Sequence, residues 1–167
     1  MRWNKLEDEA CSVARTVSVI GDRWTLLILR DCFLRVRRFE EFQARLGVTR
    51  PILASRLRKL VKDFVLAKVP YQERPLRYEY RLTQKGVDLW PVLYTLMTFG
   101  EKYYPLDGPM VRVEHRTCGT RIDDHMCCPK CGVQVEARDV VAHWPEGVPS
   151  AAWSDQRSNA SPAGVLS

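Results

Sequence analysis

The sequence predicts a mainly α-helical domain with one small β-hairpin, followed by a small cysteine-rich module and a disordered tail. Three observations carry that reading. Apolar residues recur at helical spacing from Ser12 to Val61 and again after Thr83, and the period turns extended between Val65 and Leu82. Cys and His pairs at metal-ligand spacing lie between His115 and Cys131.

Val13, Val17 and Ile20, then Trp24, Leu27 and Ile28, form two apolar runs broken at Gly21. These predict two helices meeting at Gly21-Asp22, with the Asp22 carboxylate accepting from the orphan amides of the second helix. Cys32 and Phe33 close that helix, and Arg35 to Arg38 make a short basic connector. Phe39, Phe42 and Leu46, at i, i+3 and i+7, mark a third helix ended by Gly47. Thr49 ahead of Arg50-Pro51 is a helix-start signal: the hydroxyl can cap, and proline's missing N–H is harmless in the first turn. In the helix that follows, Leu53, Leu57, Leu60 and Val61 form one apolar stripe, while Arg50, Ser55, Arg58, Lys59 and Lys62 lie off it. A helix, a tight glycine-containing turn and a second helix with one cationic face make a helix-turn-helix, whose second helix enters the major groove of DNA.

After Asp63 two strands are expected, Val65 to Tyr71 and Arg77 to Leu82, the latter alternating Arg77, Glu79, Arg81 with Tyr78, Tyr80, Leu82. Gln72-Glu73-Arg74-Pro75 forms the turn between them, giving a hairpin with a basic tip suited to phosphate or the minor groove. The front of the chain is therefore read as an α+β winged helix-turn-helix. Thr83 caps one long last helix reaching about Tyr104, whose apolar residues, among them Trp90, Tyr94, Leu96 and Phe99, cover more than one face. Such a helix needs a cover, and a partner subunit is expected to supply it. The boundaries expected are 1–104 for this domain, 105–112 for a linker, 113–144 for the cysteine module and 145–167 for a tail poor in anything to bury except Trp144 and Trp153.

Composition bounds the function. At 167 residues and 46% hydrophobic content the chain supports one core, or one core and a satellite, which excludes a large multidomain enzyme. No apolar run reaches the roughly 18 residues of a membrane span, and Met1 to Ala10 lacks a secretory h-region, so a cytoplasmic protein is expected. In that compartment six cysteines are free thiols, redox switches or metal ligands rather than a disulfide framework. The net charge of +6 is uneven: residues 1–104 carry 20 Lys+Arg against 12 Asp+Glu (+8), and residues 105–167 carry 6 against 8 (−2). A basic front attracts polyanions by counterion release, and nucleic acid is the first partner to consider.

Taken in order, Cys11-Ser-Val, the run Val19-Ile-Gly-Asp-Arg-Trp-Thr-Leu-Leu-Ile-Leu-Arg30, Arg38-Phe-Glu-Glu-Phe42, Leu53 with Arg56-Leu57 and Leu60, and Tyr78-Glu-Tyr-Arg-Leu-Thr-Gln-Lys-Gly86 resemble the HxlR-type winged helix-turn-helix regulators, relatives of the MarR-type proteins. The likeness runs from Cys11 to about Tyr104. It implies a homodimer assembled from the first and last helices, two recognition helices spaced roughly 10 base pairs apart on a palindromic double-stranded operator, and regulation of nearby genes, as a repressor in the reading preferred here. One departure is visible. Where the family has Asp-Gly before the first wing strand, this chain has Asp63-Phe64. A positive φ at that position would cost phenylalanine about 1 kcal/mol.

The resemblance maps a reactive, oxidant-sensing cysteine onto Cys11, which lies at the start of the first helix where amides and dipole favour a thiolate. A small apolar interface residue is the competing reading. Cys32 reads as a core thiol. His115-Arg-Thr-Cys118-Gly119 and Cys128-Pro-Lys-Cys131-Gly132 form two ligand pairs with nine residues between Cys118 and Cys128, a pattern that suits a structural zinc knuckle with tetrahedral Zn2+ on His115, Cys118, Cys128 and Cys131. His125 and Cys127 compete for the four places, and a redox Cys128/Cys131 dithiol is the alternative. Val133, Val135 and Val140 supply packing for such a module.

DNA contacts are expected from Thr49, Arg50, Ser55, Arg56, Arg58 and Lys59 on the second helix of the motif, with Arg37, Arg38, Arg74 and Arg77 holding the backbone. Arg56 also flanks the buried stripe. A rival reading makes the zinc knuckle a protein-interaction module and reserves the winged helix for dimerisation or docking. Thiol catalysis finds no general base, since His115, His125 and His143 all follow the helical domain, so a non-enzymatic regulator is expected.

Overall fold

The computed structural model describes residues 3–105 and 111–143. The expected tail with Trp144 and Trp153, and most of the expected linker, lie outside the described residues. Two compact units divide the chain between Gly86 and Val87.

In the first unit a 3-10 turn, Trp3–Asp8, precedes α1 (Ser12–Ile20), α2 (Arg23–Phe33), α3 (Phe39–Leu46), α4 (Arg50–Lys62), the antiparallel hairpin β1 (Leu66–Glu73) and β2 (Leu76–Leu82), and the short α5 (Gln84–Val87). The local signals explain most of the boundaries. Asp22 caps α2 by accepting from the amides of Trp24 and Thr25, α3 stops where Gly47 turns left-handed at φ 61°, and Pro51 sits in the first turn of α4. Thr49 takes the N-cap position of α4, but its hydroxyl makes no capping bond; its carbonyl accepts from Leu53 at 3.1 Å. Leu53, Leu57 and Leu60 of α4 are wholly buried with Ile28, Leu29 and Phe42, and α4 packs on α2, α3 and β1. Burying each of these leucines contributes roughly 1.5–3 kcal/mol.

The end of α4 carries the expected departure in full. The amide of Phe64 donates to Val61 O at 3.1 Å and that of Val65 to Leu60 O at 2.9 Å, the bonding pattern of a Schellman helix end, and Phe64 occupies its left-handed residue with φ 57°. The Phe64 carbonyl accepts from Thr83 Oγ1 at 2.6 Å, while its side chain is 76% exposed. Its ring therefore recovers none of the strain. Nearby, Thr83 Oγ1 also accepts from the Gly86 amide, and a Cβ on Gly86 would collide with the Val65 carbonyl, so only glycine lets the chain pass there.

The hairpin is longer than its sequence suggests. Gln72 and Glu73, assigned above to the turn, pair with Arg77 and Leu76, and Arg74-Pro75 alone forms the loop. A bulge follows Pro70, which cannot donate to a ladder, and displaces Tyr71 from the regular register. The alternation of β2 also differs: Glu79 is buried, held by the Arg81 guanidinium, and Tyr78 is exposed.

In the second unit the expected long helix is broken. A turn at Asp88-Leu89 separates α5 from α6 (Trp90–Tyr103), which restarts with Pro91 in its first turn. Pro91 has no N–H to give to the carbonyl of Val87 and its ring would crowd it, so the helix stops a turn earlier and restarts with proline where a missing donor is harmless, and this outweighed the continuous apolar pattern. Two small antiparallel pairs follow, β3 (Arg112–His115) with β6 (Val140–His143) and β4 (Cys127–Cys128) with β5 (Val133–Gln134). Tyr94 of α6 joins Val113, Ile122, Cys128, Val135 and Val140 in one buried core, with Trp90 and Met97 packed against it. Val133, expected to join that packing, is exposed instead, because β5 is an edge of only two residues and turns it outward.

Phe64→Gly is expected to raise stability by up to about 0.5 kcal/mol, the relieved strain of about 1 kcal/mol being partly offset by glycine's extra unfolded-state freedom. Urea unfolding measures this, and a midpoint at or below that of the parent chain would show that the turn holds phenylalanine without strain.

Candidate nucleic-acid interface and thiol cluster

The face of α4 opposite the leucines presents Thr49, Arg50, Ser55 and Arg58 to solvent. Arg50 lies over the Phe39 ring, 4.9 Å from its centroid, and its Nη1 donates to Gln43 Oε1 at 3.2 Å, so α3 orients it. Lys59 is half-buried and pairs with Asp63 at 2.7 Å. Arg56 stands apart from the others. Its Nε and Nη2 donate to the two oxygens of Asp22 at 2.7 and 3.1 Å, which binds α4 to the start of α2. Partial burial alone would raise the Asp22 carboxyl, but the Arg56 guanidinium and the Thr25 and Trp24 amides hold it below the usual carboxylate range.

The basic connector is docked on the wing. Tyr80 donates its amide to Arg37 O at 2.8 Å, Arg38 bridges Glu79 in antiparallel fashion, and the Glu41 carboxylate accepts from the amides of Arg37 and Arg38. The Arg38 guanidinium lies 4.6 Å from the centroid of Tyr71, the residue displaced by the bulge. Lys68 sits 4.0 Å over the Tyr78 ring on the exposed side of the hairpin. Arg74 and Arg77 are exposed at the tip. Tyr71, Tyr78 and Lys68 were not singled out from sequence; the proline ahead of Tyr71 was the available signal for a bulge.

His115, Cys118, Cys128 and Cys131 converge, with one donor atom from each within 4.8 Å of all the others. Two turns of the same kind build the cluster. The Gly119 amide donates to His115 O and the Gly132 amide to Cys128 O, each at 2.8 Å, and both glycines adopt φ 68°, a left-handed geometry that lets each chain fold back behind its ligand pair. Cys118 Sγ lies 3.4 Å from His115 Nδ1 and 3.5 Å from Cys128 Sγ. His125 and Cys127 do not join the cluster: their amides both donate to Asp123 Oδ1, and the Cys127 thiol turns to the His125 carbonyl. Hydrogen bonds from the Thr120 hydroxyl and amide bring the Cys118 thiol down to about 6, and Cys131, hydrogen-bonded to Cys118 and Cys128, is pushed up to about 11. The donor set, three sulfurs and one imidazole drawn from two tight turns, fits a metal ion.

Of the other thiols, Cys11 is exposed at the N-cap of α1 and makes no side-chain capping bond. Cys32 is buried in α2, and burial pushes its thiol far above the ordinary range, which makes it inert.

A helix-turn-helix with a wing on this scaffold agrees with the known proteins it resembles. The chain matches the HxlR-like helix-turn-helix family over residues 19–107. It belongs to that family. An uncharacterised HTH-type transcriptional regulator of Mycobacterium bovis is 45% identical over 133 residues, which is 79% of this chain and 84% of the relative. Among solved structures, PA1607, a candidate transcription factor, superposes with a TM-score of 0.66 at 40% identity, covering 80% of this chain and 94% of its own. The redox regulator HypR in its oxidised form gives a TM-score of 0.52 at 28% identity; all of HypR is covered by 57% of this chain. The first two matches are long enough to pass residue 107 into the cysteine-bearing segment, whereas HypR leaves the remainder of this chain without a counterpart. This HxlR-like protein is a DNA-binding transcriptional regulator and not an enzyme. Among its described residues no helix is long and apolar enough to cross a membrane.

Because the folded state lowers the Asp22 carboxyl below its unfolded value of about 3.9, its contribution is complete above that value and is lost as pH falls through the lowered one. Asp22→Asn is therefore expected to lose less stability than the parent chain when urea unfolding is repeated stepwise from about pH 5 to pH 3. Parallel losses in the two chains would mean that Asp22 is not tied to Arg56 in solution.

Proposed function

We propose that this HxlR-like regulator is a homodimer that binds a palindromic double-stranded operator sequence-specifically and represses the adjacent genes. The observation that carries this is the polarity of α4, three buried leucines on one side and Thr49, Arg50, Ser55 and Arg58 exposed on the other. Arg50, Ser55 and Arg58 read base edges in the major groove, and Thr49 and Lys59 contact phosphate. Arg37, Arg38, Arg74 and Arg77 hold the backbone beside the wing, with Tyr71 stacked under Arg38. Arg56 acts through Asp22, fixing the rotation of α4, rather than by touching a base. The protein works in the cytoplasm on the nucleoid.

Dimerisation through α1 and α6 is supported by what those helices leave exposed. On α6, Val92, Leu96, Phe99 and Tyr103 follow a 4-3-4 spacing and stay in solvent while Tyr94 lies in a core, and on α1 Val13 is 70% exposed. That spacing forms the seam of a helix pair. Cys11, at the head of α1, is the thiol through which oxidants or electrophiles reach this interface.

The cluster holds a structural Zn2+. Tetrahedral zinc with Zn–S of about 2.3 Å places its sulfurs ~3.7 Å apart, close to the 3.5 Å between Cys118 and Cys128. The ion would supply folding free energy to a module whose own core is small.

In fluorescence anisotropy on a fragment from upstream of its own gene, the reduced protein should resist random competitor DNA. Arg58→Ala should weaken binding by about 10- to 100-fold and relax the preference for one base pair, while Arg74→Ala should weaken all sequences alike and lower the salt slope by about 1. Equal affinity for random DNA would overturn the sequence-specific reading. Elemental analysis of the purified reduced chain should find one zinc per chain, lost in Cys131→Ser; a reduced chain that takes up no zinc would overturn the metal assignment.

A further inference from the structure

We infer that the His115–Cys118–Cys128–Cys131 cluster is itself an oxidation site for hydroperoxides, closing a Cys118–Cys128 disulfide that expels the metal and loosens α6. The inference rests on the zinc reading above and places a second thiol switch in this chain, separate from Cys11.

The geometry is that of a bond waiting to form. Cys118 and Cys128 lie with their sulfurs in contact at 3.5 Å, drawn from two different turns. Cys118 is only partly covered and Cys131 is exposed, so a small oxidant reaches the cluster from solvent, while Cys128 is wholly buried behind them. The chemistry is a two-electron exchange. The Cys118 thiolate attacks one oxygen of the hydroperoxide; an S–O bond forms, the O–O bond breaks, and the alkoxide or hydroxide leaves with a proton as alcohol or water. The Cys128 thiolate then attacks the Cys118 sulfur; the S–S bond forms and the S–O bond breaks, releasing hydroxide that takes a second proton to become water. The two thiolates lose two electrons, the hydroperoxide gains them, and the zinc ion keeps its oxidation state while it loses two of four ligands.

The consequence reaches α6 because Cys128 belongs to two structures at once. It is a donor of the cluster and a member of the core built around Tyr94. The segment between the two sulfurs is also held by α6: Tyr94 Oη donates to Ile122 O at 3.3 Å and to Asp123 O at 3.1 Å, and Arg121 pairs with Glu101 at 2.7 Å. A disulfide across the cluster shortens the path between Cys118 and Cys128 and repacks the carbonyls that Tyr94 holds. The opposite side of the same helix is the exposed Val92–Leu96–Phe99–Tyr103 seam. Oxidation is thus expected to weaken self-association through α6.

The test uses the full zinc-loaded chain and its Cys11→Ser variant, treated with one equivalent of hydrogen peroxide. Three readouts run together: zinc release by a colorimetric chelator, disulfide assignment by peptide mass mapping, and the dimer dissociation constant by sedimentation. One zinc released, a Cys118–Cys128 linkage and a dissociation constant raised at least ten-fold are expected in both chains, reversed by a dithiol plus zinc. Zinc retained while Cys11 is oxidised, a linkage that uses Cys11, or no release in the Cys11→Ser chain would overturn the inference. If the reduced chain holds no zinc yet forms the same linkage and dissociates, the metal reading falls and the oxidation site stands.

Discussion

The helix-turn-helix of this molecule depends on one carboxylate. Asp22 ends the break between α1 and α2, accepts from the amides of Trp24 and Thr25, and receives both Nε and Nη2 of Arg56, 34 residues away. The three leucines beneath α4 ensure that the helix is held, but apolar burial is non-directional and permits it to slide or roll. A fork-to-fork ion pair is not so permissive. With Arg56 clamped, Ser55 and Arg58, on other sides of the same helix turn, face solvent at a set angle, and the cationic face is presented rather than merely available.

A second carboxylate does the matching work at the other end of α2. Asp31 is completely buried, bound by Arg30 at 2.8 Å and by Arg45 of α3 at 3.2 Å, while its carbonyl accepts from Val36. An acid at a helix C-terminus opposes the macrodipole, and two guanidiniums offset that cost. The α2 helix therefore acts as a frame: its first residue-pair orients α4, its last turn orients α3. The two helices of the DNA-reading motif meet each other at Gly47 but take their positions from the helix before them.

Much of this was legible along the chain, because most of the stop and start signals act within four residues. Asp22, Gly47 and Pro51 announce themselves by local chemistry, and His115, Cys118, Cys128 and Cys131 by ligand spacing, which also left His125 and Cys127 open until the folded turns turned them onto Asp123. What escaped was long-range or a contest between signals. That Asp22 has a second partner in Arg56 has no local sign. Glu79 looked like an outward residue by alternation; Arg81 satisfies it inside and Tyr78 turns out instead. At Trp90-Pro91 an apolar period and a proline disagreed, and the proline prevailed. Phe64 shows the opposite case, where a family pattern foretold a left-handed residue and the phenylalanine accepts it.

The apolar surface around α6 finds its explanation in having two uses. A helix apolar on more than one face was expected to be covered by a partner subunit, yet part of that surface is covered by the chain itself, with Tyr94 in the core of the cysteine module and Trp90 and Met97 packed against it. The remaining stripe, from Val92 to Tyr103, stays exposed. The module's strands run only two to four residues, so the core that receives α6 is small. Four donors gathered from two turns fit a metal ion, and an ion held there would add folding free energy that so small a core does not supply. Cys128 is shared between those four donors and the core around Tyr94, so the cluster and the buried side of α6 belong to one packed unit, with the exposed stripe on the helix's other side.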